Sequence, residues 1–389
     1  PAHHVNEVRR VVTGGILGTV KGVNRAVEAV TNAAWDFAAP DVQGRPALVP
    51  MRSDLMTTPA VATDAAIGAI NGAVGDHLAR EANGLDLGMH LRSLDAWIEA
   101  DGFGIPGAAT GHIVVLVHGL SATEWSWCLD AERQLGDATA NFGTLLQQDL
   151  GFTPIFARYN SGKHISENGR MFAAHLERLV ATWPVPVQEL VLLGHSMGGL
   201  VSRSACHLGH TEQKPWVNLV SRVVTLSSPL QGAPLEKFAN LAAAALSAVD
   251  LPATAISGQI LKGRSAGIKD LRHGYVHDSE WQGQNPDGFE ENRQLDLALP
   301  AHISWCFISA TLTKSAKNPV SQAVGDLLVR VESSAGPVDT PVQVTNHHVG
   351  GIHHAAVQVS PEVYALVRDF LAGQPSANAR DFPSGMRSL

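Results

Sequence analysis

Residues 194–198 read Gly-His-Ser-Met-Gly and directly follow the run Glu189-Leu190-Val191-Leu192-Leu193. That run has the apolar density of a buried strand. Leu200-Val201-Ser202-Arg203-Ser204-Ala205-Cys206 then continues as a helix. A serine between two glycines at such a junction constrains the fold more than any other feature of the chain. The turn is so tight that only glycine fits two residues either side of the serine, and the strained backbone pushes the hydroxyl out over the sheet edge. With 37 glycines in 389 residues the bare pattern is weak, and its context carries the weight.

The context is a regular alternation. Ile113–Val117 reads as a buried strand, Asn141–Leu150 as a helix and Pro154–Tyr159 as a strand. Ser166–Thr182 follows as a helix with Phe172, Leu176 and Leu179 on one face. After the serine elbow come the strands Arg222–Leu226, His302–Ile308 and Leu327–Val331, and a closing helix, Pro361–Leu371, with proline in its first turn. Strands alternating with helices predict an α/β fold with a mostly parallel sheet flanked by helices.

Upstream, residues 5–39 read as helical, and Pro40, Gly44, Pro46 and Pro50 mark a loop. A second helix, Ala60–Ala82, is rich in Ala and Gly, which predicts close helix packing. Met89–Leu94 reads as an early strand and Asp101–Gly111 as a Gly/Pro loop. The expected division is an N-terminal helical extension with the first strand or strands (1–110) and a core formed by 111–234 and 300–375. An inserted helical cap spans 235–299, and a tail follows at 376–389. In the insertion, Phe238, Leu241, Ala242, Ala245, Leu246 and Val249 fall on one helical face.

An apolar fraction of 45% with 16% charged residues supports a large core, and a net charge of −8 gives no basic surface for nucleic acid or anionic membrane. Cys128, Cys206 and Cys306 are too widely spaced for a disulfide framework or a metal pattern and read as small buried hydrophobes. The longest apolar stretch, Leu241–Val249, is too short to span a bilayer. Arg9, Arg10, Lys21, Arg25 and Glu28 interrupt the first thirty residues, so no secretory signal is legible and a cytoplasmic location is the expectation.

An elbow serine becomes an acyl-transfer nucleophile when a base, an orienting acid and oxyanion donors surround it. Acid and histidine are expected downstream, in that order. Asp326, in Gly325-Asp326-Leu327-Leu328-Val329, is the best acid, with Asp339 the fallback. The base should precede the closing helix, where His347-His348 and His353-His354 both lie. The second pair stands immediately before that helix, and His354 is chosen, with His353 its rival. Two histidine pairs could also suggest a metal, but no paired carboxylates or cysteines stand near them in the sequence, and neither a metal nor any other cofactor is expected. His195 is read as a structural residue of the elbow. Met197 N–H is one oxyanion donor, and Leu120 N–H, in Val117-His118-Gly119-Leu120, is the other. Trp125 and Trp127, just after that loop, are candidates for lining an acyl pocket together with Phe238 and Leu241.

These stretches resemble bacterial α/β-hydrolases of the esterase/lipase group related to the eukaryotic GPI inositol-deacylases. The resemblance is carried by His118-Gly119-Leu120, by Arg158-Tyr159-Asn160-Ser161-Gly162 with Ser166-Glu167-Asn168-Gly169-Arg170, and by Gly194 to Leu200. Ser227-Ser228-Pro229-Leu230-Gln231-Gly232-Ala233-Pro234, Gly325-Asp326 and the segment from Gly351 to Ala356 continue it, and Asn71 to Asp76 adds to it. It implies an α/β-hydrolase fold and a triad of Ser196, Asp326 and His354, the histidine being followed two residues later by an aliphatic, here Val357. The doubled histidine departs from the group's pattern. The activity so implied is serine-dependent hydrolysis of small-molecule or lipid-like carboxylic esters through an acyl-enzyme; that the acyl group is apolar is the expectation from the Phe238–Val249 stripe with Trp125 and Trp127. An acyltransferase would use the same triad, and a non-catalytic binding module on the same scaffold is the third reading.

Overall fold

The computed structural model describes residues 48–234, 264–283, 294–295, 297, 300–314, 326–336 and 342–374. Within them lies an eight-stranded sheet. Its strands are β1 (Met89–Arg92), β2 (Trp97–Ile98), β3 (His112–Val117), β4 (Thr153–Tyr159), β5 (Glu189–His195), β6 (Val220–Leu226), β7 (Ser304–Thr311) and β8 (Val344–Gly350). The order across the sheet is β2-β1-β4-β3-β5-β6-β7-β8, with antiparallel pairing at β1–β2 and β1–β4 and parallel pairing elsewhere.

The helices are α1 (Pro59–Arg80), α2 (Phe142–Leu150), α3 (Ile165–Thr182), α4 (Met197–Thr211), α5 (Ala266–His273), α6 (Asp278–Trp281) and α7 (Pro361–Leu371). Shorter helical turns lie between some of them. The two-residue period of a strand sorts the core into two clusters. Ile113, Val115 and Val117 of β3 join Leu190 and Leu192 of β5 and Phe172, Leu176 and Leu179 of α3 on one face. Val114, Leu116, Val191 and Leu193 face the other way, with Phe142 and Leu146 of α2 and Val363, Leu366 and Val367 of α7. Both faces are covered, and that is why the central strands read as unbroken apolar runs rather than alternating ones. Each buried Leu or Phe on the α3 face contributes about 1.5–3 kcal/mol.

The order β4-β3-β5 creates a switch point: the chain turns to one side after β3, and the other neighbour of β3 is β5. Val117 pairs with Gly194, so the segments leaving these two strands emerge side by side. Ligands of open α/β sheets bind in such a crevice.

Two expectations need correction. Residues 327–331 form no strand. They are a loop running into a helical turn at Val331–Ser334, and Leu327 at φ 96° is incompatible with a strand. The last strand is instead β8, which carries His347 and His348, residues expected on a loop. The glycines of α1 serve a loop more than a neighbouring helix: a Cβ at Gly72 would lie 2.1 Å from the Ser121 hydroxyl, so α1 backs directly onto the segment after β3. The expected helix at 5–39, Phe238, Leu241 and the rest of their stripe, and Asp339 lie outside the described residues.

Candidate active site

Ser196 follows β5 and precedes α4 with φ 54° and ψ −122°, a conformation costly for any residue with a side chain. The crowding that demands glycine is visible on both sides. A Cβ at Gly194 would lie 2.5 Å from the Gly199 nitrogen, and one at Gly198 would lie 2.2 Å from the Val117 carbonyl oxygen. The Ser196 amide donates to the Leu226 carbonyl at 2.8 Å, which fastens the elbow to β6. Its hydroxyl is buried and has no hydrogen-bond partner among the described residues.

His354 opens a short helical turn after β8. Its amide donates to the Asp326 carbonyl at 3.0 Å, and its ring Nδ1 lies 2.8 Å from Asp326 Oδ2. The other carboxylate oxygen accepts from the amides of Leu328 at 3.1 Å and Val329 at 2.9 Å. This turn, closed by the Asp326 side chain, is what replaces the expected strand. Burial would push the Asp326 carboxyl up, but the His354 imidazole and the Val329 amide outweigh it and hold it below the usual carboxylate range. Asp326 is therefore the acceptor and His354 Nδ1–H the donor. His354 Nε2 is left buried and unpartnered among the described residues. His353, by contrast, is exposed.

His195 ties this pair to the elbow, since its Nε2–H donates to the His354 carbonyl at 3.1 Å. Burial, reinforced by His354, pushes its pKa down to about 3 and keeps the ring neutral.

The segment after β3 abuts the serine: a Cβ at Gly119 would lie 3.0 Å from Ser196 Cβ. The buried His118 ring stacks on Tyr159 at 4.3 Å and accepts from the Tyr159 amide at 3.2 Å through Nε2. Its Nδ1–H donates to the Gly119 carbonyl at 2.8 Å, and the Tyr159 hydroxyl donates to the His118 carbonyl at 2.8 Å. Burial lowers the His118 pKa to about 4, so it too is a neutral fixture. Leu120 follows on this clamped segment, and the Ser121 amide donates to Ser161 Oγ at 3.0 Å. Met197 is the first residue of α4, and its amide is one of the helix's four N-terminal donors without an intrahelical acceptor.

Residues 108–283 match the family model of the PGAP1-like alpha/beta domain. The match takes in the His118 loop, the Arg158 motif and the Ser196 elbow and stops before Asp326 and His354. It agrees with the resemblance read from those motifs. No curated protein matches the chain. Among solved structures, the mature form of Bacillus licheniformis lipase BlEst2 is 19% identical over 68% of this chain and 93% of that one, with a TM-score of 0.42. Aspergillus fumigatus lipase B is 14% identical over 72% and 58%, TM-score 0.41, and the Pyrococcus furiosus esterase Pf2001 is 17% identical over 73% and 88%, TM-score 0.38. No helix among the described residues is long and apolar enough to cross a membrane.

Beside the site, the fold holds an ion network that sequence reasoning missed. Arg158, at the end of β4, donates to both oxygens of Glu124 at 2.8 Å and to Asp64 of α1, at 2.6 Å to Oδ1 and through a second contact to Oδ2. Arg92 of β1 reaches Glu124 at 3.3 Å and three backbone carbonyls, those of Val49, Ser93 and Leu94. All four charged side chains are buried. Burial would raise the Glu124 pKa, but Arg158 and Arg92 outweigh it and bring it down to about 2. The available signal was a charge inside an apolar strand, as in Ile155-Phe156-Ala157-Arg158. Trp125, read as an acyl-pocket candidate, packs in the core with the Arg92 guanidinium 5.8 Å from its ring, and Trp127 is buried in the same cluster.

Proposed function

We propose that the chain is a serine-dependent carboxylic ester hydrolase. The observation that carries this reading is a pair of orphaned atoms beyond the carboxyl ends of β5 and β8. The Oγ of a serine on a strained elbow and the Nε2 of a histidine whose other nitrogen is held by a carboxylate are both buried and unpartnered among the described residues. These are the two atoms between which an acyl-transfer site moves a proton.

In this reading Ser196 Oγ attacks the ester carbonyl carbon as its proton passes to His354 Nε2. Asp326 holds the imidazole in the required tautomer and stabilises its charged form. The Leu120 and Met197 amides bind the developing oxyanion. The carbon–oxygen bond to the alcohol then breaks, His354 returns the proton to the departing alkoxide, and water, activated by the same imidazole, releases the acid from Ser196. No step requires a metal or cofactor. The acyl group is proposed to be apolar, so kcat/KM should rise from acetyl to medium-chain p-nitrophenyl esters. Each buried methylene would add up to about 0.8 kcal/mol.

The test is hydrolysis of that ester series by the wild type and by Ser196→Ala. The reading expects turnover that Ser196→Ala abolishes. Wild-type turnover by the variant would refute the nucleophile, and a preference for acetyl over butyryl and hexanoyl esters would refute the apolar acyl site. Added alcohol separates hydrolysis from acyl transfer by whether a new ester forms.

A further inference from the structure

The residue beside the nucleophile has a side chain that the proposed chemistry does not use, yet it touches both other parts of the site. His195 is buried at the end of β5, and its Nε2–H is 3.1 Å from the backbone carbonyl of His354, 159 residues away. The two rings lie 4.8 Å apart at 46°. On its other side, a Cβ added to Gly119 would lie 3.3 Å from His195 Nδ1, so the same ring also supports the segment leading to Leu120. Two strands, β6 and β7, separate β5 from β8 in the sheet. The His195 hydrogen bond spans that gap directly, where the segment after β8 must place its imidazole opposite Ser196.

We infer that His195 is a positioning residue: its Nε2–H fixes the backbone of His354 and thereby the aim of that imidazole. The inference rests on the proposed role of His354 as base. A neutral ring suits the task. Lysine or arginine could donate to the same carbonyl, but either would place a permanent positive charge beside the imidazolium that forms during proton transfer. Burial and His354 together disfavour the charged form of His195. An apolar residue would fill the space and leave a buried carbonyl without its donor. The bond fixes the direction of a reacting group rather than the substrate, so its loss should reduce kcat and spare KM.

The experiment measures kcat, KM and melting temperature on a p-nitrophenyl ester for His195→Phe and His195→Gln, with Ser196→Ala and His354→Ala run in parallel. His195→Phe is expected to lose about tenfold in kcat with KM within about twofold. His195→Gln, whose side-chain amide offers an N–H at similar reach, should recover most of that loss. Should His195→Phe fail to fold, His195→Met serves as the variant lacking the donor. Wild-type kcat in the variant lacking the donor overturns the inference. So does a His195→Gln enzyme as impaired as that variant at equal melting temperature, because packing alone then explains the position. If Ser196→Ala and His354→Ala abolish turnover while His195→Phe keeps the wild-type kcat, the inference alone has failed. Turnover surviving in His354→Ala removes the role of the base on which it rests.

Discussion

Two buried polar clusters lie close to the segment that follows β3, and they are completed differently. In the Arg92–Glu124–Arg158–Asp64 network two cations meet two anions, and every guanidinium nitrogen of both arginines donates to a carboxylate or a carbonyl. In the Ser196–His354–Asp326 cluster the carboxylate is saturated, but the serine hydroxyl and the outer imidazole nitrogen are not. Leaving buried polar atoms unpaired costs about 1–3 kcal/mol each, so a fold tolerates it where the atoms serve something else. The saturated cluster joins α1, β1, β4 and the segment after β3 into one scaffold. The unsaturated one is the proposed site of chemistry. Damage to the first should appear as stability, and damage to the second as rate.

Substitutions can break that contrast. The largest effect is expected for His354→Ala, with turnover lower by about 10⁴-fold or more in steady-state assays, while exposed His353 replaced by alanine retains most of it. Comparable losses in both variants would dissolve the distinction between the two histidines. Next comes Arg158→Met, which strands Asp64 in the interior, leaves Glu124 with Arg92 alone and should lower unfolding stability in urea by about 3–5 kcal/mol. Its folded fraction should remain active. A variant of wild-type stability and no turnover would reverse the assignment of the two clusters.

Acidification separates them further. The folded pKa of Glu124 is depressed from 4.5 to about 2, so its contribution to stability is complete above the unfolded value and is lost as pH falls from about 4.5 toward 2. Asp326, also lowered, adds to the same slope, and Asp64, raised by its burial, opposes it. Melting temperature should therefore drop across that window, and Glu124→Gln should be less stable at neutral pH and flatter below 4.5. The smallest effect belongs to Tyr159→Phe. It removes the hydroxyl that donates to the His118 carbonyl and should cost about 1 kcal/mol of stability in a chemical melt.

Local signals carried much of this architecture. The elbow was legible because its glycines and the preceding apolar run are contiguous, and the central strands because burial on both faces makes them uniformly apolar. Strand β8 was not, since Thr345-Asn346-His347-His348 lacks such a run and, among the described residues, the strand is paired only with β7. Leu327-Leu328-Val329 offered the opposite trap, an apolar run shaped into a turn by two amides bonded to one carboxylate oxygen. Chain order and the place before α7 singled out Asp326 and His354, and the structure brings the two within a hydrogen bond; their roles as acid and base are part of the proposal. The ion network was invisible because Asp64, Arg92, Glu124 and Arg158 are scattered along the chain, and only tertiary structure pairs them. His195 looked structural at the elbow, but its partner 159 residues away could not be read from neighbours.

The central claim is that the unsaturated cluster is the reactive one. Reaction with a fluorophosphonate probe, followed by peptide mass spectrometry, tests it without knowledge of the substrate. The account predicts a single adduct on Ser196 that is absent from Ser196→Ala and strongly slowed in His354→Ala. An adduct on another serine, or labelling at an undiminished rate in His354→Ala, would contradict it.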